Sequence, residues 1–276
     1  MSNMNDMKGR EITKERLKEI KRLHESRERA EKGLFLIEGV RLIEEAVKKR
    51  VSIERTLYTS ELEETIRGSH LIATIGKKNI PAYQVPEKVM ESLSETENPQ
   101  GILAVARQLK WTIEDVVKGK GPVIIACSLQ DPGNLGTIIR AADAGGCGGV
   151  ITTQNTVDIY NSKVIRATMG SIFRLPVLKV DDLIEAVSTL KKEGYRIIAT
   201  AAHSKTSFLD VDYRKPTAFL IGQETSGLSK EILESADIKV FIPMKEGVES
   251  LNAAVSAAIL IYEALRQRLK VQQKAM

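Results

Sequence analysis

Hydrophobic positions along the chain change their period several times, and each change marks an element. Residues Thr13 to Glu31 carry helical spacing, and Leu34-Phe35-Leu36-Ile37 forms a short apolar run of strand type. Between Glu38 and Arg50, Val40, Ile43, Ala46 and Val47 fall on one helical face. Ile53 to Thr59 and Ala82 to Val85 predict two further strands, and Glu87 to Ser94 a short helix. The polar turn Glu95-Thr96-Glu97-Asn98-Pro99-Gln100-Gly101 then leads into a strand at Ile102 to Ala106. Residues 1–106 therefore predict a small alternating α/β domain. Residues 107–121, with Trp111, several charges and a Gly-Lys-Gly turn, predict a linker.

From Pro122 the alternation becomes regular, so 122–276 predicts a second domain. Val123 to Ser128 is a β-branched apolar run of the kind a buried parallel strand needs. Helices at Leu135–Ala144, Ser162–Met169, Asp182–Glu193 and Lys230–Ser235 alternate with strands at Val150–Thr153, Leu175–Val180, Tyr195–Ala201, Ala218–Ile221 and Lys239–Ile242. Such alternation predicts an α/β fold with a mostly parallel sheet covered by helices on both faces. A closing helix, Leu251 to roughly Leu269, places Leu251, Val255, Ala258, Tyr262, Leu265 and Leu269 on one ladder. Its other side, with Ala253, Ala257 and Leu260, is apolar as well. A helix apolar on both sides is expected to be buried twice, once on its own sheet and once on a second copy, which predicts a homodimer.

Length and composition add limits. A chain of 276 residues is long enough for two cores, and 42% hydrophobic with 28% charged residues is ordinary globular usage. No apolar run approaches the roughly 18 residues of a membrane span, and the start lacks the apolar core of a signal peptide. Cys127 and Cys147 are too few for a disulfide scaffold, so a reducing, cytoplasmic setting without membrane contact is expected. The net charge of +5 is uneven: Lys8 to Lys32 holds ten Lys/Arg against six Glu, which leaves the rest near neutrality. That basic end fits contact with phosphates. It equally fits a self-paired helix, since Glu11/Lys14, Glu15/Lys18, Glu19/Arg22, Glu25/Arg29 and Glu28/Lys32 are spaced for intrahelical ion pairs.

Common cofactor signatures are absent. There is no P-loop, and Gly145-Gly146-Cys147-Gly148-Gly149 follows a helix instead of opening one, so it reads as a helix end and turn. His24, His70 and His203 are scattered, and no metal is expected. Cys127 lies inside an apolar run, as a core residue would. What remains is three strand ends rich in glycine and uncharged hydrogen-bonding groups, where an open α/β sheet holds a ligand. The first is Asp131-Pro132-Gly133-Asn134, with Asn134 placed to cap the helix at Leu135. Arg140 then falls near the start of that helix, against the helix dipole, which suggests a ligand anion or an acidic partner. The second is Gly222-Gln223-Glu224-Thr225-Ser226-Gly227, and the third runs from Ile242-Pro243-Met244 to Ser250-Leu251-Asn252, where Ser250 and Asn252 have cap chemistry.

In this order the three segments resemble the three motifs of the SPOUT superfamily, in its SpoU/TrmH branch of RNA ribose 2'-O-methyltransferases. Motif one is Asn134 to Arg140, motif two Leu220 to Leu228, and motif three Ile242-Pro243-Met244 through Ser250-Leu251-Asn252. Gln223 stands where the family more usually has Asn. Phe35 to Gly39 and the Pro99-Gln100-Gly101 turn resemble the L30e-like RNA-binding domain found in the family. The resemblance implies a C-terminal trefoil knot, S-adenosylmethionine as cofactor, a homodimer, and RNA as partner, with ribosomal RNA (23S) favoured over tRNA. It implies cofactor contacts at Gly222, Ile242 and Leu251. It places Arg140, Asn134, Glu224, Ser250 and Asn252 at the catalytic centre. A non-catalytic RNA-binding module with a relic cofactor site is the alternative of another class.

Overall fold

The structure, a computed structural model, describes residues 12–223 and 225–274. Its contacts divide the chain into two units, one holding the residues up to Leu109 together with Tyr160–Phe173, the other Lys110–Ile159 and the residues from Arg174 on.

In the first unit, β1 (Leu34–Glu38), β2 (Ile53–Tyr58), β3 (Ala82–Gln84) and β4 (Ile102–Arg107) form one sheet in the order β1-β4-β2-β3. Pairing is antiparallel except between β2 and β3. Leu36, Leu57, Leu103 and Val105 alternate onto one face, where Ile20 and Leu23 meet Met90 and Leu93. The first two come from α1 (Lys14–Arg22) and the turn after it, the last two from α6 (Glu87–Leu93). Helix α3 (Val40–Lys48) packs on β1 and β4, and α5 (Ile66–Lys77), which follows the short α4 (Ser60–Glu64), packs on α3.

The single helix expected over Thr13–Glu31 is two: α1 ends at Arg22 and α2 runs Ser26–Lys32. The break has a cause in Arg29, which is buried and donates from Nη1 to the carbonyls of Leu23 and His24 at 2.9 and 2.7 Å. A buried guanidinium needs acceptors, and the carbonyls released at the end of α1 supply them.

In the second unit, seven parallel strands run in the order β7-β6-β5-β10-β8-β11-β9. They are β5 (Val123–Ala126), β6 (Gly149–Thr152), β7 (Val177–Lys179), β8 (Arg196–Thr200), β9 (Thr206–Ser207), β10 (Thr217–Ile221) and β11 (Ile238–Phe241). Every residue of β5, β6 and β10 is buried, as continuous apolar runs at the centre of a doubly covered sheet require. The covering helices are α7 (Ile113–Lys118), α8 (Pro132–Ala144), α10 (Leu183–Lys192), α11 (Lys230–Ser235) and α12 (Ala253–Lys274).

Two boundaries differ from expectation. Residues 107–121 are not a free linker: Arg107 closes β4, and α7 sinks Val116 into the core of the parallel sheet. Within 122–276, the stretch Tyr160–Phe173, with α9 (Ser162–Thr168), belongs to the first unit. Tyr160 stacks on Phe35 with ring centroids 4.7 Å apart, and its hydroxyl takes the N–H of Leu109 while donating to the Leu109 carbonyl. Arg166 lies 3.9 Å from Glu38, and Ser162 donates to Glu95.

Helix α12 lies on α8 and β10. It buries Ala253, Ala254, Ala257, Leu260, Ile261 and Ala264, and leaves Val255, Tyr262 and Leu269 about half exposed. The approach to α8 is close: a Cβ on Gly145, at the end of α8, would stand 2.1 Å from Ile261 Cγ2. Gly145→Ala is expected to destabilise the fold by about 1–3 kcal/mol through overpacking. In urea titrations, Ile261→Ala should cost less in that background than in the wild type, because the β-branch that clashes is gone.

Candidate functional site

The carboxyl ends of β8, β10 and β11 open onto one solvent-accessible cavity. Four of the residues expected at the catalytic centre or the cofactor line it: Gly222 after β10, Ile242 after β11, and Ser250 and Leu251 before α12. The buried side chains of Ile221, Val240 and Ala253 give it an apolar floor. Gly222 is required by a close backbone approach. A Cβ there would meet the Gly227 carbonyl carbon at 2.5 Å. The turn that makes this approach is closed by Gly227 N–H donating to the Gln223 carbonyl at 2.8 Å, with Gly227 at φ +63°.

The first strand-end segment joins the third through a side-chain pair. Asn252 Nδ2 donates to Asn134 Oδ1 at 2.8 Å. The Asn252 Oδ1 meanwhile accepts from the N–H groups of Ala254 and Val255 at 2.9 and 3.2 Å, which caps α12. The orientation of this amide follows from its partners: backbone donors claim the oxygen, so the nitrogen is left to give the bond to Asn134.

Two expectations about α8 are corrected. Asn134 is not its N-cap: Asp131 holds that position, with Oδ1 accepting from Asn134 N–H at 2.7 Å, and Pro132 begins the helix. Proline suits a first turn, where its missing donor costs nothing, so the helix starts three residues before Leu135. Arg140 is consequently the ninth of thirteen residues and not near the start, and the conflict with the helix dipole vanishes. Its side chain is exposed, outside the cavity lining, and makes no ion pair among the described residues. Glu224 lies outside the described residues.

Thr200, Ala201 and Ala202 also line the cavity and were not singled out in the sequence, and Glu249, within the third segment, lines it without having been assigned a role there. Small residues after a strand carry little signal, whereas the position of Thr200–Ala202 at a strand end was itself legible. Nucleophilic cysteine chemistry is excluded: burial pushes the thiols of Cys127 and Cys147 up to about 12, so neither is a thiolate near neutrality.

In the first unit, α1 exposes Lys14, Arg16, Lys18, Lys21 and Arg22. Of the intrahelical pairs expected from spacing, Glu28–Lys32 forms at 3.6 Å, and Arg27 pairs with Glu31 at 2.7 Å. Both lie on α2, so the cations of α1 remain a candidate phosphate-contacting surface.

Residues 121–262 match the SpoU rRNA Methylase family, and residues 14–104 match the MRM3-like substrate binding domain. The chain is 34% identical to the 23S rRNA (guanosine(2553)-2'-O)-methyltransferase RlmP of Bacillus subtilis (strain 168), over 90% of this chain and 95% of that relative. It is 33% identical to a 23S rRNA (uridine(2479)-2'-O)-methyltransferase of Streptomyces viridochromogenes, over 87% of this chain and 85% of the other. The crystal structure of the SpoU methyltransferase AviRb from Streptomyces viridochromogenes, in complex with the cofactor AdoMet, is similar at a TM-score of 0.84. That likeness covers 93% of this chain and 99% of the other at 30% identity.

The Asn252 geometry separates two roles experimentally. Asn252→Ala should cost about 1 kcal/mol or more in urea titrations, through the lost helix cap. Asn252→Asp should keep the cap but set a carboxylate against Asn134 Oδ1. Asn134→Ala is then expected to be better tolerated in the Asn252→Asp background than alone.

Proposed function

Because the chain belongs to the SpoU rRNA methylase family, we propose that it methylates a ribose 2'-hydroxyl of 23S ribosomal RNA with S-adenosylmethionine. The observation that carries this reading is convergence: the second and third strand-end segments line one cavity, and the first is joined to the third by the Asn134–Asn252 bond. The match of residues 14–104 to a substrate binding domain favours ribosomal RNA over tRNA and speaks for an enzyme over a relic module.

The cavity fits the cofactor chemically. The apolar floor at Ile221 and Val240 suits a purine, and Gly222 and Ile242 at strand ends, with Leu251 before α12, can offer main-chain groups to the ligand. When bound, the cofactor supplies an electrophilic methyl group on a sulfonium. The chain must then fix the ribose oxygen in line and ease the loss of its proton. Orientation alone can supply about 7–11 kcal/mol of such a barrier.

Arg140 is ill suited to take the proton, since a guanidinium stays charged to a pH above about 12 and has no acceptor. It serves instead as an anchor for the target phosphate, stabilising charge that develops on the ribose oxygen. Ser250 lines the cavity where it can orient the ribose, while Asn134 and Asn252 hold the first and third segments together. By family resemblance Glu224 contributes to the same centre. The L30e-like unit selects the RNA, with α1 on the phosphates.

The reading extends to the assembly. Val255, Tyr262 and Leu269 recur every seven residues on the exposed side of α12, an apolar stripe that suits a second copy and hence a homodimer. A trefoil knot at the carboxyl end accords with β10 lying between β5 and β8 while α12 returns onto α8. The cytoplasm is the setting, where both buried cysteines stay free. Among the described residues, no helix is long and apolar enough to cross a membrane.

Labelled S-adenosylmethionine incubated with 23S RNA or tRNA, followed by mapping of 2'-O-methyl positions, tests the assignment. Label on tRNA alone would overturn the choice of substrate. Arg140→Ala is expected to lower methylation by roughly two orders of magnitude or more while calorimetric cofactor affinity is unchanged. Lost affinity would instead make it a cofactor contact. Tyr262→Glu should shift sedimentation toward the monomer by burying a charge at the stripe.

A further inference from the structure

Glu249 is the one ionisable side chain among the described residues that line the cavity. The other contributors are small, hydroxyl-bearing, amide or apolar, so they offer hydrogen bonds and surface but no formal charge. Glu249 is exposed and makes no ion pair among the described residues, although Lys245 is in the same loop. The loop carrying it is held at its far end, because Asn252 is fixed both to the start of α12 and to Asn134. A carboxylate is thus presented at the solvent edge of a pocket whose floor, Ile221, Val240 and Ala253, is buried and apolar.

A ligand with an apolar aromatic end and a zwitterionic end sorts itself in such a pocket. The aromatic end takes the dry floor, and the charged end stays at the wet rim, where little desolvation is needed. Resting on the methyltransferase reading above, we propose that Glu249 recognises the ammonium group of the cofactor's amino-acid portion. It would thereby select nucleosides that carry an amino-acid tail over those that do not. Because that ammonium is present before and after methyl transfer, the contact favours donor and demethylated product alike. It sets retention of the nucleoside and leaves discrimination of the sulfonium to other groups. Exposure keeps the effect modest and sensitive to salt.

Calorimetry on the full-length chain tests this with three probes: S-adenosylmethionine, S-adenosylhomocysteine, and 5'-methylthioadenosine, which lacks the amino-acid portion. Glu249→Gln is expected to weaken the first two by the same factor, about three- to ten-fold at low salt, and to leave the third unchanged. The deficit should shrink at high salt. Glu246→Gln, on the same loop but outside the lining, should change none of the three. Equal weakening of 5'-methylthioadenosine would overturn the inference, as a loop-shaping role predicts. Weakening of S-adenosylmethionine alone would overturn it in favour of a sulfonium contact, and unchanged affinity for all three would overturn it outright. A wild-type chain that binds none of the probes would overturn the methyltransferase reading as well.

Discussion

The site depends on the two-sided use of one amide, that of Asn252. Its oxygen caps α12 by taking two backbone N–H groups, and its nitrogen ties the helix start to Asn134 at the head of α8. A longer or differently charged side chain would meet one demand and fail the other. Helix α12 also lies on α8 along its body, where Gly145 admits Ile261. The amide is therefore the fixed end of a packed helix pair, and the loop that carries Ser250 and Leu251 inherits its position.

Most of the parallel sheet was legible because buried central strands must be continuously apolar, and β5 and β10 are. What local pattern could not show is which core an amphipathic segment joins. Helix α9 has the spacing of any short helix, yet Tyr160 and Arg166 commit it to the first unit through Phe35 and Glu38. Helix α7 was read as linker since six residues give too short a period to register, although Val116 is fully buried. Helix α5 escaped notice because only Leu71 and Ile75 repeat at four-residue spacing between its glycines and polar residues.

At the site, the residue types were legible and the roles less so. Asn134 and Asn252 both have cap chemistry, and sequence assigned each to its own helix. Only one caps. Asp131 takes the cap of α8, which frees the Asn134 side chain for its partner 118 positions away. A pair that distant leaves no trace in a single sequence. By the same correction Arg140 does not oppose the helix dipole, since the helix begins at Pro132. Arg140 keeps its place in the reading on chemistry instead: it is an exposed cation without an ion-pair partner among the described residues, on the helix that Asn134 ties to the cavity.

Exposure of Arg140 bears on when it can act. A guanidinium in open water gains little from a phosphate, because the solvent screens both charges. The same pair gains far more once a bound RNA strand excludes water from the contact, as low local polarity strengthens every charge interaction. On the proposed function, the free protein need not hold Arg140 in a costly buried state, and its electrostatic contribution arises only with substrate in place. The cavity follows the complementary logic, with Glu249, its one ionisable side chain among the described residues, exposed at the rim. Main-chain and small uncharged groups at Gly222, Ile242 and Leu251 can surround a ligand in the absence of RNA without leaving an unpaired buried charge. On the proposed function, binding of the small ligand and recruitment of the nucleic acid fall to different kinds of group. In that proposal the strand-end loops serve the small ligand, while Arg140 of α8 joins the exposed cations of α1 in serving the nucleic acid.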